Sequence, residues 1–165
     1  MTRDNHRDAF QKMSDQFQQE YEKLTWKCWP YKAGGFASLK QASPPIPHER
    51  GVYLFRAPHP ICRVKGKSDV IYIGQSGGGK RGGAQGIGAG NGGPGRLFNK
   101  RGQDKVVREY IESLFPQEDF LVECYFTAND EDAEETERRL LLAYLRTHFE
   151  LPPANHTLKK SVIAV

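Results

Sequence analysis

Two short runs decide the fold: Gly51-Val52-Tyr53-Leu54-Phe55 and Asp69-Val70-Ile71-Tyr72-Ile73-Gly74. Both are rich in β-branched and aromatic residues and bounded by turn formers, so both are predicted as strands, joined by an excursion over Pro58 to Ser68. From Gly74 to Gly95, 12 of the 22 residues are glycine, a density that excludes a helix and supplies few side chains to a core. That segment is expected to be a loop. Helical patterning resumes near Arg96 and continues through Val106, Val107, Tyr110, Ile111 and Leu114, until Phe115-Pro116 stops it. A third strand is expected at Phe120 to Thr127. Asn129 or Asp130 can cap a last helix with acidic first turns, whose buried side carries Leu140, Leu141, Tyr144, Leu145 and His148 and which Pro152-Pro153 closes.

Upstream, Phe10, Met13, Phe17, Tyr21 and Leu24 recur at steps of three and four, the stripe of a helix from about Asp4 to Lys27. Gly34-Gly35 and Pro44-Pro45-Ile46-Pro47 then break regular structure, so Trp29 to Glu49 reads as an extended connector lying on the domain. The expected architecture is α+β: a small three-stranded antiparallel sheet flanked by helices. Residues 1–50 form an amino-terminal helix and connector packed on a core of residues 51–165, which contains the glycine-rich loop 74–95.

At 165 residues, 38% hydrophobic and 27% charged, the chain suits one soluble globular domain. It has no run of the roughly 20 apolar residues a membrane span needs, and its opening lacks the apolar stretch of a secretion signal, so a cytoplasmic protein without a membrane partner is expected. Cys28, Cys62 and Cys124 are widely spaced and odd in number, which argues against a disulfide framework or a cysteine metal site and suggests buried thiols. His6, His48, His59, His148 and His156 show no paired metal spacing. The net charge of +4 is modest, but its distribution is not. Arg56 to Tyr110 holds 11 Lys or Arg against 3 acids, a balance of +8, and Ile111 to Glu150 holds 11 acids against 3 bases, a balance of −8. A basic middle fits either a phosphate-bearing partner or one of two solvated faces.

Gly74-Gln75-Ser76-Gly77-Gly78-Gly79-Lys80 follows a strand and resembles a phosphate-cradling loop up to its lysine. The next position, which should offer a hydroxyl to magnesium, is Arg81, and Gly82-Gly83 prolong the irregular chain where a helix should begin. A nucleoside triphosphate is therefore not the expected ligand.

Gly51-Val52-Tyr53 and Tyr72-Ile73-Gly74 are followed in order by Arg96, by Glu137 with Leu140 and Leu141 on the same helix face, and by Asn155. Over about Gly51 to Asn155 this series resembles the GIY-YIG nuclease family, whose members carry two such tripeptides, then an arginine, a metal-binding glutamate and an asparagine. The second tripeptide matches letter for letter; the first differs by one methylene. The resemblance implies a metal-dependent endonuclease that hydrolyses phosphodiester bonds of double-stranded DNA.

Within that resemblance, Arg96 would hold nonbridging oxygens, since a guanidinium matches the phosphate fork. Glu137 would hold Mg2+ or Mn2+, which keeps several waters and can be completed by the phosphate. Tyr53 and Tyr72 would jointly activate water. A free phenol is ionised to only about one part in a thousand at pH 7, so nearby cations must help or the phenol must simply orient the water. Asn155 would be a positioning residue. Lys80, Arg81, Lys100 and Arg101 are candidate DNA contacts, with Arg81 the competitor of Arg96 for the arginine role. The small size suggests a compact enzyme of type II restriction character, for which a homodimer would allow both strands of a symmetric site to be cut. The alternatives are a structure-specific or repair nuclease, and a catalytically inactive DNA-binding module.

Overall fold

The computed structural model describes residues 15–31, 42–76, 86–89, 95–98, 103–114 and 118–155. Among these, the elements run in the order α1 (Gln16–Glu22), β1 (Lys27–Tyr31), β2 (Gly51–Cys62), β3 (Lys67–Ser76), a 3-10 turn at Arg96–Phe98, α2 (Gln103–Leu114), β4 (Phe120–Phe126) and α3 (Asp130–His148). The architecture is α+β, with an antiparallel sheet in the order β1-β4-β2-β3.

The sheet has four strands where three are expected, and the additional one lies in the segment read as a connector. Lys27-Cys28-Trp29-Pro30-Tyr31 pairs along the outer edge of β4, from Lys27 against Cys124 to Tyr31 against Phe120. Trp29 is buried while Cys28 and Pro30 are exposed, the alternation of a half-buried strand. Pro30 is compatible because an edge strand has one row of N–H groups with nothing to bond. The same strand explains why α1 stops at Glu22 and does not reach Lys27: the Trp26 indole donates to Tyr21 O at 2.9 Å, turning the chain out of the helix. The expected residues 4–14 of that helix lie outside the described residues.

β2 and β3 are longer than their signature runs. Pairing persists through Ile61 with Ser68 and Cys62 with Lys67, so the excursion between them shrinks to a turn in which Arg63 N donates to Gly66 O. Pro58 and Pro60 fall in the irregular stretch between Arg56 and Ile61, where no ladder bond is required of them. A second irregularity sits higher up: Phe55 pairs with Tyr72 but Arg56 pairs with Val70, so Ile71 is the extra residue of a bulge in β3.

The two sheet faces carry separate cores. On the first, Trp29, Tyr53, Phe55, Ile71, Tyr72, Val122 and Cys124 pack with Ile46, Ile87, Leu97, Phe98 and the α2 residues Val107 and Ile111. On the second, Val52, Leu54, Val70 and Ile73 meet Phe17 of α1 and Leu140, Leu141 and Tyr144 of α3. Ile71 and Tyr72 share the first face although adjacent, which is the effect of the bulge.

Part of the glycine-rich segment joins the core after all. Ile87 is fully buried, with its N–H on Glu49 O at 2.7 Å and that of Gly88 on Pro47 O at 2.9 Å. A Cβ on Gly88 would lie 2.6 Å from the Ile46 carbonyl carbon, so glycine is what allows the two backbones to dock.

The continuous helix expected from Arg96 is instead a 3-10 turn followed by α2, and the last strand ends at Phe126. The last helix begins as expected, with Asn129 Oδ1 accepting from Asp132 N at 2.8 Å. It ends before the prolines, at a left-handed Phe149 whose N–H returns to Leu145 O. Of the cysteines read as buried, Cys28 and Cys62 are exposed and Cys124 is buried; all three are free. No helix among the described residues is long and apolar enough to cross a membrane.

Candidate functional site at the end of strands β2 and β3

Tyr53 and Tyr72 stand on neighbouring strands on the first face, with ring centroids 5.9 Å apart, and Phe55 contacts both rings. Tyr53 is 3% exposed and Tyr72 9%. Tyr53 pairs in register with Gly74, over which the Tyr72 phenol is laid. A Cβ on Gly74 would fall 2.9 Å from the Tyr72 hydroxyl oxygen and closer still to its ring. The absence of a side chain at Gly74 is therefore what lets Tyr72 point along β3 toward the strand's end.

Asn155 reaches the same place from the outer edge of β3. Its Oδ1 accepts from Ile73 N at 2.9 Å and its Nδ2 donates to Ile73 O at 2.7 Å, while Ala154 N donates to Ile71 O at 2.9 Å. The segment after α3 thus extends the sheet by two residues' worth of pairing. Beyond it, from Gly74 onward, the edge has no such cover among the described residues.

Glu137 is 5% exposed and belongs to the face of α3 that covers the second side of the sheet. Three contacts fix its level. Arg50 Nε lies 2.8 Å from Asp130 Oδ1 at the helix start, Tyr144 Oη is 3.5 Å from Val70 O, and His148 Nδ1 is 2.9 Å from Lys65 O. α3 therefore runs opposite to β3. The 14 residue steps from Asp130 to Tyr144 rise about 21 Å, matching about 20 Å for the six strand steps from Val70 to Ser76. Glu137, midway, is level with Ile73, and helical side chains lean toward the helix N-terminus, here toward Gln75.

Arg96 opens the 3-10 turn, half-buried, with its N–H on Gly86 O at 2.9 Å. Gly86 in turn abuts the His48–Glu49 backbone, and Glu49 O lies 3.4 Å from the Ser76 hydroxyl, which accepts from Gly51 N at 3.1 Å. All five principal candidates, Tyr53, Tyr72, Arg96, Glu137 and Asn155, are thereby placed at one end of the sheet, where β2 begins and β3 finishes. They are not on one face: the phenols are on the first side and Glu137 is on the helix layer of the second. Lys80, Arg81, Lys100, Arg101 and His156 lie outside the described residues.

Two features of this region were not legible in the pattern. Gln75 is 9% exposed, pairs with Val52 and shares the α3-facing side with Ile73; its Oε1 is buried with no hydrogen-bond partner among the described residues. Ser76 is fully buried. Both fall in the segment that the glycine density reads as a loop, because the strand pattern stops at Gly74. The region fits one resident divalent cation of the hard, oxygen-binding kind: a buried carboxylate, Glu137, and an orphaned buried carbonyl, that of Gln75, occupy the same end of the same layer. No group of three or more His, Cys, Asp or Glu side chains that could hold a metal exists among the described residues.

A second unforeseen cluster lies away from this end. Glu123 of β4, 4% exposed, accepts from Arg56 Nε at 2.6 Å and from Tyr21 Oη at 2.9 Å, and Arg56 Nη1 also meets Asp69 Oδ1 at 2.6 Å. Burial alone would lower the Arg56 pKa, but Glu123 and Asp69 more than reverse this and hold the guanidinium above its ordinary value. Burial and the Glu123 carboxylate push the Tyr21 phenol up to about 12.

No protein-family model matches the chain, and no curated protein or solved structure does.

Proposed function

We propose that this protein is a metal-dependent DNA endonuclease of GIY-YIG type, hydrolysing phosphodiester bonds at the β2–β3 end of its sheet. The observation that carries the reading is the Tyr53–Tyr72 ring contact over Gly74, with Asn155 clamped to Ile73 between the two signature residues Tyr72 and Gly74. An aromatic pair built only for packing needs neither a glycine beneath one phenol nor an amide fixing the adjacent peptide.

The Arg96 guanidinium binds the nonbridging oxygens with paired hydrogen bonds and offsets charge as it develops. The two phenols orient the attacking water and pass its proton onward, and the rigid strand pair keeps their spacing. Asn155 holds the peptide of Ile73, and with it the direction of Tyr72. Glu137 would hold Mg2+ or Mn2+, which when bound stabilises charge on the departing oxygen. Lys80, Arg81, Lys100 and Arg101, within a stretch of net charge +8, are assigned to the DNA backbone. The form of the activity proposed is restriction-like, with a homodimer cutting both strands of a symmetric site.

The test is incubation of supercoiled plasmid with Mg2+ and wild-type protein, beside Glu137→Gln and Tyr72→Phe. Discrete fragments or nicks from wild type, with each variant reduced by about a hundredfold or more, support the reading. Equal cleavage by all three identifies a contaminant and overturns it. Binding of duplex DNA without cleavage in any sample would make the protein a binding module, and selective cutting of flaps or bubbles would make it a repair-type nuclease.

A further inference from the structure

Gln75 closes β3 on the α3-facing side, opposite Val52; Val52 and Ile73 of the sheet are apolar and buried there, and the buried face of α3 carries Ala133 and Leu140 together with the polar Thr136 and Glu137. An amide there is poorly suited to a purely structural task. Its Oε1 is excluded from solvent and meets no donor among the described residues, a situation that an isosteric apolar side chain would avoid altogether. Such an acceptor, the one orphaned side-chain atom of the sheet among the described residues, marks a place where a partner is supplied from outside the chain.

The character of that partner follows from what lies nearby. An amide oxygen accepts but carries no charge, and the neighbouring buried group on the same layer is the Glu137 carboxylate, level with Ile73 and leaning toward Gln75. An anion is excluded by the carboxylate. A hard divalent cation is satisfied by this pair, since Mg2+ and Mn2+ take carboxylate and amide carbonyl oxygens and fill their remaining positions with water or phosphate oxygens. A neutral second donor also leaves most of the cation's charge uncompensated and available to a phosphodiester.

We propose that Gln75 is a second protein ligand, through Oε1, for the divalent cation held by Glu137. This rests on the hydrolase reading above and adds to it a residue that the resemblance does not supply.

The test is Mn2+ binding by the full chain, followed by electron paramagnetic resonance of free Mn2+, together with thermal unfolding without metal. Wild type, Glu137→Gln, Gln75→Met and Gln75→Glu are compared. Gln75→Met keeps length and volume but removes the oxygen, so Mn2+ should bind about tenfold more weakly while the unfolding midpoint stays level or rises. Gln75→Glu should bind Mn2+ more tightly than wild type. If Gln75→Met binds Mn2+ as wild type does while Glu137→Gln does not, the Gln75 assignment is overturned and the hydrolase reading stands. A Gln75→Met protein that is less stable, or does not fold, shows that the amide has a structural partner, and also overturns it. Absence of Mn2+ binding by wild type overturns the assignment whatever the plasmid assay gives; only the loss of plasmid cleavage as well takes the hydrolase reading with it.

Discussion

The side-chain amide of Asn155 hydrogen-bonds both the N–H and the C=O of Ile73, taking the place of a neighbouring strand at the edge of the sheet. A carboxamide is suited to this because it offers one donor and one acceptor side by side, like a peptide. Asn155→Ala leaves both Ile73 groups without their partner and should cost about 1–3 kcal/mol, read from urea unfolding. Asn155→Asp keeps the acceptor but sets a carboxylate against the Ile73 carbonyl. It should be at least as unstable at neutral pH and should recover as the pH falls through about 4, where the protonated acid can donate. Equal stability of Asn155→Asp at pH 4 and pH 7 would refute the pairing.

Gly74→Ala tests the seat of Tyr72. The new methyl collides with the phenol, which is the far end of a side chain and can swing aside, so the stability loss should be small, about 1 kcal/mol. Plasmid cleavage should fall far more, because the swing displaces the hydroxyl. Gly88→Ala is the control: its methyl would meet Ile46 backbone, which cannot turn away, so unfolding should occur at distinctly lower denaturant with no separate effect on the phenols. Cleavage by Gly74→Ala that tracks its stability would remove the orienting role.

Much of this architecture was legible because its signals are local. The runs around Tyr53 and Tyr72, the Asn129 cap and the α3 stripe of Leu140, Leu141 and Tyr144 each follow from alternation, capping or helical spacing within a few residues. β1 was not, because Pro30 and the brevity of Lys27–Tyr31 resemble a connector, and only the free edge of β4 makes it a strand. The bulge at Ile71 was equally invisible, since a register shift is a property of two strands. The order of Tyr53, Tyr72, Arg96, Glu137 and Asn155 gave the candidates, but their distribution over two faces depends on which helix covers which side. Gln75 and Glu123 carried no signal: a lone polar residue in a strand normally faces water, and only tertiary packing buries these two.

The Arg56–Glu123–Asp69 cluster predicts strong coupling. Glu123→Ala strips a buried guanidinium of its closest partner and should cost roughly 3 kcal/mol, the lower end for a broken buried pair because Asp69 remains on Arg56. Adding Arg56→Met removes the stranded charge, so the double variant should be more stable than Glu123→Ala alone. A double-mutant cycle in urea measures this; simple additivity of the two losses would show that the charges do not act as a pair.

Tyr21 gives the fold a pH dependence of definite sign. Its phenol donates to Glu123 and is half-buried beside it, so in the folded chain it holds its proton up to about 12, whereas in the unfolded chain it releases it near 10. Between those values the folded state binds more protons than the unfolded one, and stability must fall as the pH rises. Below pH 10 both states are protonated and the contribution is fully present; it is lost progressively as the pH climbs from 10 through 12. Arg56 over the Tyr21 ring, 4.6 Å from its centroid, tempers the effect because a cation favours the phenolate, but burial and Glu123 outweigh it. In Tyr21→Phe the group is gone, so the unfolding midpoint should decline less steeply across this window than in wild type, while at pH 7 the variant is the weaker of the two for want of the hydrogen bond. Phenolate absorbance near 295 nm should likewise show one tyrosine fewer titrating late. Parallel alkaline profiles for the two proteins would mean that Glu123 does not hold the Tyr21 proton.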